Sequence, residues 1–331
     1  MGMGWKLGAL KVLALFVLAG CVPSTSIRSV PQLSEALAQS DQQIGASTPQ
    51  TTTLPSDGST WTKRASGVKA DLRDVAYGNN TFVAVGDLGT ILTSPDGLAW
   101  RKRSVPNLID YSFRIITYGN GLFVAANSYV IATSPNGGGW TIRGNPNAHL
   151  KSATYGNGVF ILVGSYDSGV ALLSPDGVKW ERFSLPSSYG FNGVSFGNGV
   201  FIGVDNFSLI YVSTDGKDWE RLGSYTRAPL YGVTYGDGLF VVVGERGTIL
   251  TSPDGSDWTV EDSDTDVSLL SVAYGNGTFV AVGDKGTILT SSNGKTWVKR
   301  NSGTEVTLRK VVYGNGVFVV VGDGGTILTS P

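Results

Sequence analysis

With one cysteine and one histidine in 331 residues, the chain lacks most of what builds metal cages, disulfides and charge-relay triads. A lone Cys21 excludes an internal disulfide, and any histidine-dependent chemistry would have to run through His149. Charge is sparse as well: Lys, Arg, Asp and Glu supply 15% of the residues and leave a formal charge of −1. Without a basic excess, a nucleic-acid-binding surface has little support. No cofactor and no metal are expected. What is abundant is glycine, 46 residues of it, among 41% hydrophobic and 10% aromatic residues. That mixture holds enough apolar mass for a core and suits tight turns between short strands better than helices.

Residues 1–20 read as a signal peptide. Lys6 and Lys11 make its start positive, and the apolar run Val12–Leu18 is too short to span a bilayer as a helix. The segment ends in Leu18-Ala19-Gly20-Cys21, which resembles the lipobox of bacterial lipoproteins. The resemblance implies cleavage before Cys21 and acylation of its sulfur, with palmitate-like chains that anchor the protein in the cell envelope. Several acyl chains, at about 0.8 kcal/mol per buried CH₂, hold a protein stably. An ordinary signal peptide with an incidental cysteine is the alternative. Loss of Lys6 and Lys11 leaves 23 basic against 26 acidic residues, a charge of −3. Val22 stands where an aspartate would signal inner-membrane retention, so the outer membrane is implied if the source is Gram-negative. Residues 21–55, rich in Ser, Thr, Gln and Pro, read as a flexible tether with a reach of roughly 30–35 Å.

Internal repeats dominate residues 56–331. Trp61, Trp100, Trp140, Trp180, Trp219, Trp258 and Trp297 are separated by 39, 40, 40, 39, 39 and 39 residues. A Tyr/Phe marker keeps the same beat at Tyr77, Tyr118, Tyr155, Phe196, Tyr235, Tyr274 and Tyr313, each opening a turn such as YGNG. An SPDG-like turn precedes six of the tryptophans. Within one unit, Leu72–Tyr77, Thr81–Val85 and Thr90–Ser94 read as three strands, with Trp100 on a fourth. Pro95-Asp96-Gly97 is a hairpin signal. Four short antiparallel strands repeated radially predict an all-β fold, a seven-bladed β-propeller. The last unit stops after three strands at Thr326–Pro331, and the first tryptophan segment has no strands before it. Together they make one blade, which closes the ring and hides both edges.

The strings GTILTSPDG and YGNGxFVAVG resemble repeats of the BNR/Asp-box superfamily. More narrowly, they are similar to lipoproteins with sialidase-like or photosystem II assembly-factor-like propellers. The usual box reads S-x-D-x-G-x-T-W, and Ser94–Trp100 (SPDGLAW) is one residue shorter. Repeats of this kind host both hydrolases and noncatalytic scaffolds.

Recurrence in nearly every unit makes Asp96, Asn136, Asp176, Asp215, Asp254 and Asn293 turn formers rather than a ring of acids. In a four-stranded blade the YGNG and SPDG turns share one face, and what varies lies on the other, where recognition is often placed. Blades 2, 3 and 4 lose their G-x-x-G-T turn there, at Asn127-Ser128-Tyr129, Ser165–Ser168 and Asp205-Asn206-Phe207. The residue four before each marker is Arg73, Arg114, Lys151, Asn192, Tyr231, Leu270 and Arg309. Blade 7 adjoins blade 1, so Arg309, Arg73, Arg114 and Lys151 should form a positive arc at the channel mouth, continued by Asn192 and Tyr231. Such an arc suits an acidic peptide, a carboxylate or an anionic sugar; local pairing with Asp71, Asp74 or Asp110 is the alternative. Glu261–Asp266 reads as a solvated acidic loop opposite the arc. Tyr111, Phe113, Tyr189, Phe191, Tyr225 and Tyr231 are candidate exposed aromatics, and His149 falls in a loop.

A sialidase-like hydrolase would need an arginine triad, imitated by Arg73, Arg114 and Arg309, with Tyr231 as nucleophile. No Glu stands beside that tyrosine in the sequence, and no spaced carboxylate pair is evident. The expected function is therefore a noncatalytic protein-binding or assembly platform in the envelope. A glycan-binding module or a hydrolase is the alternative.

Overall fold

The computed structural model describes residues 58–331 apart from 106, 107 and 109. All lie in the second of the two units, Met1–Thr52 and Thr53–Pro331, into which the chain divides. The signal segment, Cys21 and the whole of the tether fall outside the described residues.

Seven four-stranded antiparallel sheets make a seven-bladed β-propeller. The innermost strands, a, are Leu72–Gly78, Ile115–Gly119, His149–Gly156, Gly193–Gly197, Leu230–Gly236, Leu269–Gly275 and Leu308–Gly314. Strand b, such as Thr81–Gly86, is buried along almost its whole length, as its unbroken apolar run requires. The seventh sheet joins Thr62–Arg64 to Thr326–Ser330, Val317–Gly322 and Leu308–Gly314. Its closing pairs are Thr62↔Thr329, Lys63↔Leu328 and Arg64↔Ile327, and Arg64 Nε donates to Thr329 Oγ1 at 2.8 Å. The ring closes as the two partial repeats predict.

The core is divided among the seams between blades. Val83, Ile91, Phe123 and Ala125, for example, come from blades 1 and 2 and share one cluster. A ring-on-glycine contact crosses every seam. The glycine after each Tyr/Phe marker lies beneath the marker ring of the next blade, so that a Cβ on Gly78 would fall 2.0 Å from Tyr118. The circuit ends with Gly314 beneath Tyr77, where the same atom would be 2.2 Å away.

The tryptophans differ slightly from expectation. Strand d of blade 1 is only Arg101–Lys102, and Trp100 precedes it. Its ring instead closes the box turn, Nε1 donating to Gly97 O at 2.8 Å. Trp61, Trp140, Trp219, Trp258 and Trp297 repeat that bond. Trp180 does not; its buried Nε1 has no partner among the described residues. The box Asp is a turn former: Asp96 Oδ1 accepts from Leu98 N at 2.9 Å, Ala99 N at 3.2 Å and Ser94 Oγ at 3.0 Å. Asn293 does the same with Lys295 N and Thr296 N, both at 2.9 Å.

Candidate functional site at the channel mouth

A backbone irregularity builds the site. In blades 1, 3, 5, 6 and 7 the pairing of strands a and b slips by one residue, and the extra residues are Arg73, Lys151, Tyr231, Leu270 and Arg309. A β-bulge re-aims its side chain. Arg114 and Asn192 hold the same place one residue before their strands. All seven residues line a single cavity of roughly 120 Å³ at the mouth of the channel. The sequence register thus brings its whole candidate set together. Larger and more open hollows, such as one of 660 Å³ beside Trp100 and Arg103, lie elsewhere and contain none of that set.

The arc is less uniformly positive than its residue types suggest. Arg73 makes a two-pronged pair with Asp87 and reaches Asp71 at 3.2 Å. The Asp87 bond pushes the Arg73 guanidinium above its ordinary value, and the same bond holds the Asp87 carboxyl below its own. Arg309 pairs with Asp323 through its Nε alone. Deeper in, burial pushes the Asp74 carboxyl up, against the pull of Lys310 at 3.7 Å. Asp74 Oδ2 accepts Ile116 N–H across the seam at 2.9 Å, a task that Ser152 performs for Val194 and Ser271 for Val311.

Lys151 and Arg114 are different. Lys151 Nζ donates to Tyr189 O at 3.0 Å and Asn192 Oδ1 at 3.1 Å, with no carboxylate in contact. Burial in the walls of the mouth pushes its ammonium down. Arg114 is exposed; its backbone N–H donates to Ala126 O at 3.1 Å, and its side chain forms no ion pair among the described residues, although the charge of Asp87 reaches it. Asn192 continues the ring, donating to Leu230 O at 2.9 Å and Asn206 Oδ1 at 2.7 Å.

Tyr231 requires a correction. Burial, followed by the charges of Glu245 and Asp284, pushes its phenol up. A carboxylate therefore does stand within electrostatic reach, although no hydrogen bond joins it to Tyr231 among the described residues. Four carboxylates were missed from sequence: Asp87 and Asp323, which neutralise Arg73 and Arg309, and Glu245 and Asp284, whose charges reach Tyr231. Each lies 14 residues after its blade's ring residue, and that constant spacing was the available signal.

Two of the candidate aromatics are core residues. Phe113 and Phe191 are fully buried, packed against Trp140 and Trp219. Tyr225 hydroxyl donates to Ser256 O at 3.2 Å, whereas Tyr189 is exposed. His149 opens a strand rather than lying in a loop, its Nδ1 3.0 Å from Ser128 Oγ. In the acidic segment, Glu261 accepts from Thr251 Oγ1 at 2.6 Å and Asp262 from Asp264 N at 2.9 Å. No group of three potential metal ligands converges among the described residues.

The fold and mouth define an asymmetric seven-bladed propeller whose inner ring is half neutralised. No protein-family model and no curated protein matches the chain. Solved structures do. The chain is similar to YCF48 bound to D1 peptide, with a TM-score of 0.68 at 17% identity, covering 82% of this chain and 96% of that one. It is also similar to YCF48 from Cyanidioschyzon merolae, with a TM-score of 0.66 at 17% identity over 82% of this chain and 98% of that one. The WD40 β-propeller domain of Doa1 gives 0.66 at 17% identity over 82% and 97%. At such identities the likeness is one of fold.

Proposed function

We propose that the chain is a noncatalytic platform, lipid-anchored in the cell envelope, that holds another envelope protein at its channel mouth. The observation that carries this reading is the pair Arg114 and Lys151, without carboxylate partners, beside Asn192 and Tyr231 on a rigid frame. Two such cations take a carboxylate from a peptide terminus or side chain. Arg73 and Arg309, already neutralised, frame that contact. The peptide named with the similar YCF48 propeller supports a peptide as the occupant. The anchor rests on Leu18–Cys21 alone. No hydrogen bond joins the Tyr231 phenol to a carboxylate base among the described residues, which favours binding over hydrolysis.

The test is crosslinking of the lipidated protein in its native envelope, with partners identified by mass spectrometry. A parallel sample carries Arg114→Glu and Lys151→Glu, with its fold checked by thermal melting. A discrete protein partner lost in that variant is the expected result. The same partners in both samples would sink the mouth as the dock. Absence of any protein partner, with binding on glycan arrays or turnover in glycosidase assays, would replace the platform by a glycan module or a hydrolase.

A further inference from the structure

The turns between strands b and c divide the variable face into two unlike halves. The fifth residue after the strand-b phenylalanine is Asp87, Ser128, Ser165, Asn206, Glu245, Asp284 and Asp323 in blades 1 to 7. The sixth is Leu88, Tyr129, Tyr166, Phe207, Arg246, Lys285 and Gly324. Blades 2, 3 and 4 have thus exchanged the neutralising carboxylate for a neutral side chain, and the same three blades carry an aromatic tip. Blades 5 and 6 keep the carboxylate and end in a cation. Arg114 and Lys151 form no direct ion pair, although the charges of Asp87 and Asp205 reach them, and the blades that lack the paired carboxylate carry apolar tips beside them.

These tips are exposed: Leu88 76%, Tyr129 65%, Tyr166 46% and Phe207 55%, with Tyr189 at 59%. Single exposed apolar residues are ordinary, but grouped ones mark interaction sites. Hydrogen bonds tie the tips to the loops that carry the ring residues. Leu88 N donates to Ser112 Oγ at 3.1 Å, two residues before Arg114. Ser128, next to Tyr129, lies 3.0 Å from His149, two residues before Lys151. Asn206, next to Phe207, accepts from Asn192, and Tyr189 packs on Phe207 with ring centroids 5.3 Å apart. The blade 3 hairpin is extended, with Val159–Tyr166 paired to Ser168–Ser174 as far as Tyr166↔Ser168, and it projects Tyr166 from the middle of the crescent.

We infer that blades 1 to 4 form an apolar rim that docks an extended peptide segment of a partner protein, one whose carboxylate is flanked by aliphatic or aromatic side chains. The carboxylate sits on Arg114 and Lys151, and its apolar neighbours lie on Tyr129, Tyr166, Tyr189 and Phe207. The inference rests on the platform reading and adds the chemistry of the segment bound. Charge placement favours a peptide over a lipid surface: the apolar tips carry no cation at their own level, whereas the cationic tips Arg246 and Lys285 lie on the opposite half. A flat anionic bilayer would need both together. A peptide can lay its apolar groups on the rim and reach inward with its carboxylate.

The test is panning of a phage-displayed random peptide library on the full-length chain, followed by binding measurements on synthetic versions of the enriched peptides. We expect enrichment of sequences that combine Asp, Glu or a C-terminal carboxylate with Leu, Phe or Tyr. Their binding should weaken by at least about tenfold, the range of interface hot spots, in Tyr166→Ser/Phe207→Ser and again in Arg114→Glu. It should be unchanged in Arg246→Ala/Lys285→Ala, and all variants should melt like the parent. Enrichment indifferent to Tyr166 and Phe207, or no enrichment at all, would overturn the inference. So would rim-dependent binding to phosphatidylglycerol vesicles or to glycans in place of peptides. Crosslinked partners lost with Arg114 and Lys151 but kept by the rim variant would leave the platform reading standing and remove the rim alone.

Discussion

The glycine after each Tyr/Phe marker is required by a neighbour rather than by its own backbone. At Gly156 a Cβ would fall 2.1 Å from the Phe196 ring, which belongs to the next blade. Both partners are held by their sheets, so neither can retreat without opening the seam. Gly156→Ala should therefore lower stability by about 1–3 kcal/mol, the usual cost of overpacking. Gly139, where no heavy atom lies within 4 Å, supplies the contrast: its alanine variant should stay within about 0.5 kcal/mol of the parent. Guanidinium unfolding of the two variants checks both values. Equal midpoints would mean that the rings slide aside and the seam is softer than its geometry. From sequence the Tyr-Gly pair was legible as a marker but not as a contact, because the ring that covers each glycine lies about one repeat further along the chain.

At the scale of the element, the Asp or Asn of the box turn accepts from the backbone ahead of it. Donation from Ser256 N, first among the causes, lowers the Asp254 carboxyl from 3.8 to about 2. Asp96, Asp176 and Asp215 are lowered for the same kind of reason. A carboxylate with a depressed pKa in the folded state stabilises fully above its unfolded value, and that contribution fades as the pH falls through the folded value. The protein should accordingly lose stability between roughly pH 4 and pH 2, without a matching loss near neutrality. Asn136 and Asn293 make the same turns without a charge. Replacing Asp96, Asp176, Asp215 and Asp254 by Asn should therefore preserve the fold and flatten the acid limb, as read from urea midpoints at several pH values. An unchanged acid limb would assign acid sensitivity to other carboxylates. Box, strands and turns could be read from the repeat because each is local. The bulge that aims Arg73 and Lys151 into the mouth could not, although counting back from the marker found its occupant. Pairing of Arg73 with Asp87 was hidden for another reason: opposite charges 14 residues apart meet only once strand b has doubled back on strand a.

For the whole molecule, the decisive feature is the junction at which first strand meets last. Strand Thr62–Arg64 covers the edge of Thr326–Ser330, and the Trp61 ring packs near Phe318 with centroids 6.5 Å apart. A chain beginning at Gly67 would leave that edge bare, open to pairing with other molecules. It should lose about 4 kcal/mol, since strand Thr326–Ser330 loses its ladder partner and the cluster around Phe318 loses its Trp61 cover, or aggregate. The junction also leaves a trace in the hydrogen bonds. Ser94 Oγ accepts Gly97 N–H at 2.9 Å within its box, but the equivalent Ser330 Oγ is buried with no partner among the described residues. In the sequence, Ser330-Pro331 and Asp57-Gly58 match the two halves of that box. Fusing Pro331 directly to Asp57 would write Ser330-Pro331-Asp57-Gly58, the same SPDG that turns the intact blades. New termini can be opened at Asn301–Gly303, a segment between blades 6 and 7 with Asn301 and Gly303 exposed. This permutant keeps every strand pair, gives Ser330 its missing donor and joins the closing strand covalently to its blade. It should melt above the parent chain trimmed to residues 58–331, while the chain from Gly67 melts far below it or does not fold. A permutant less stable than that trimmed parent would show that the closing turn differs from the intact boxes. A stable, monomeric chain from Gly67 would show that the ring is held by its seams and not by the shared blade.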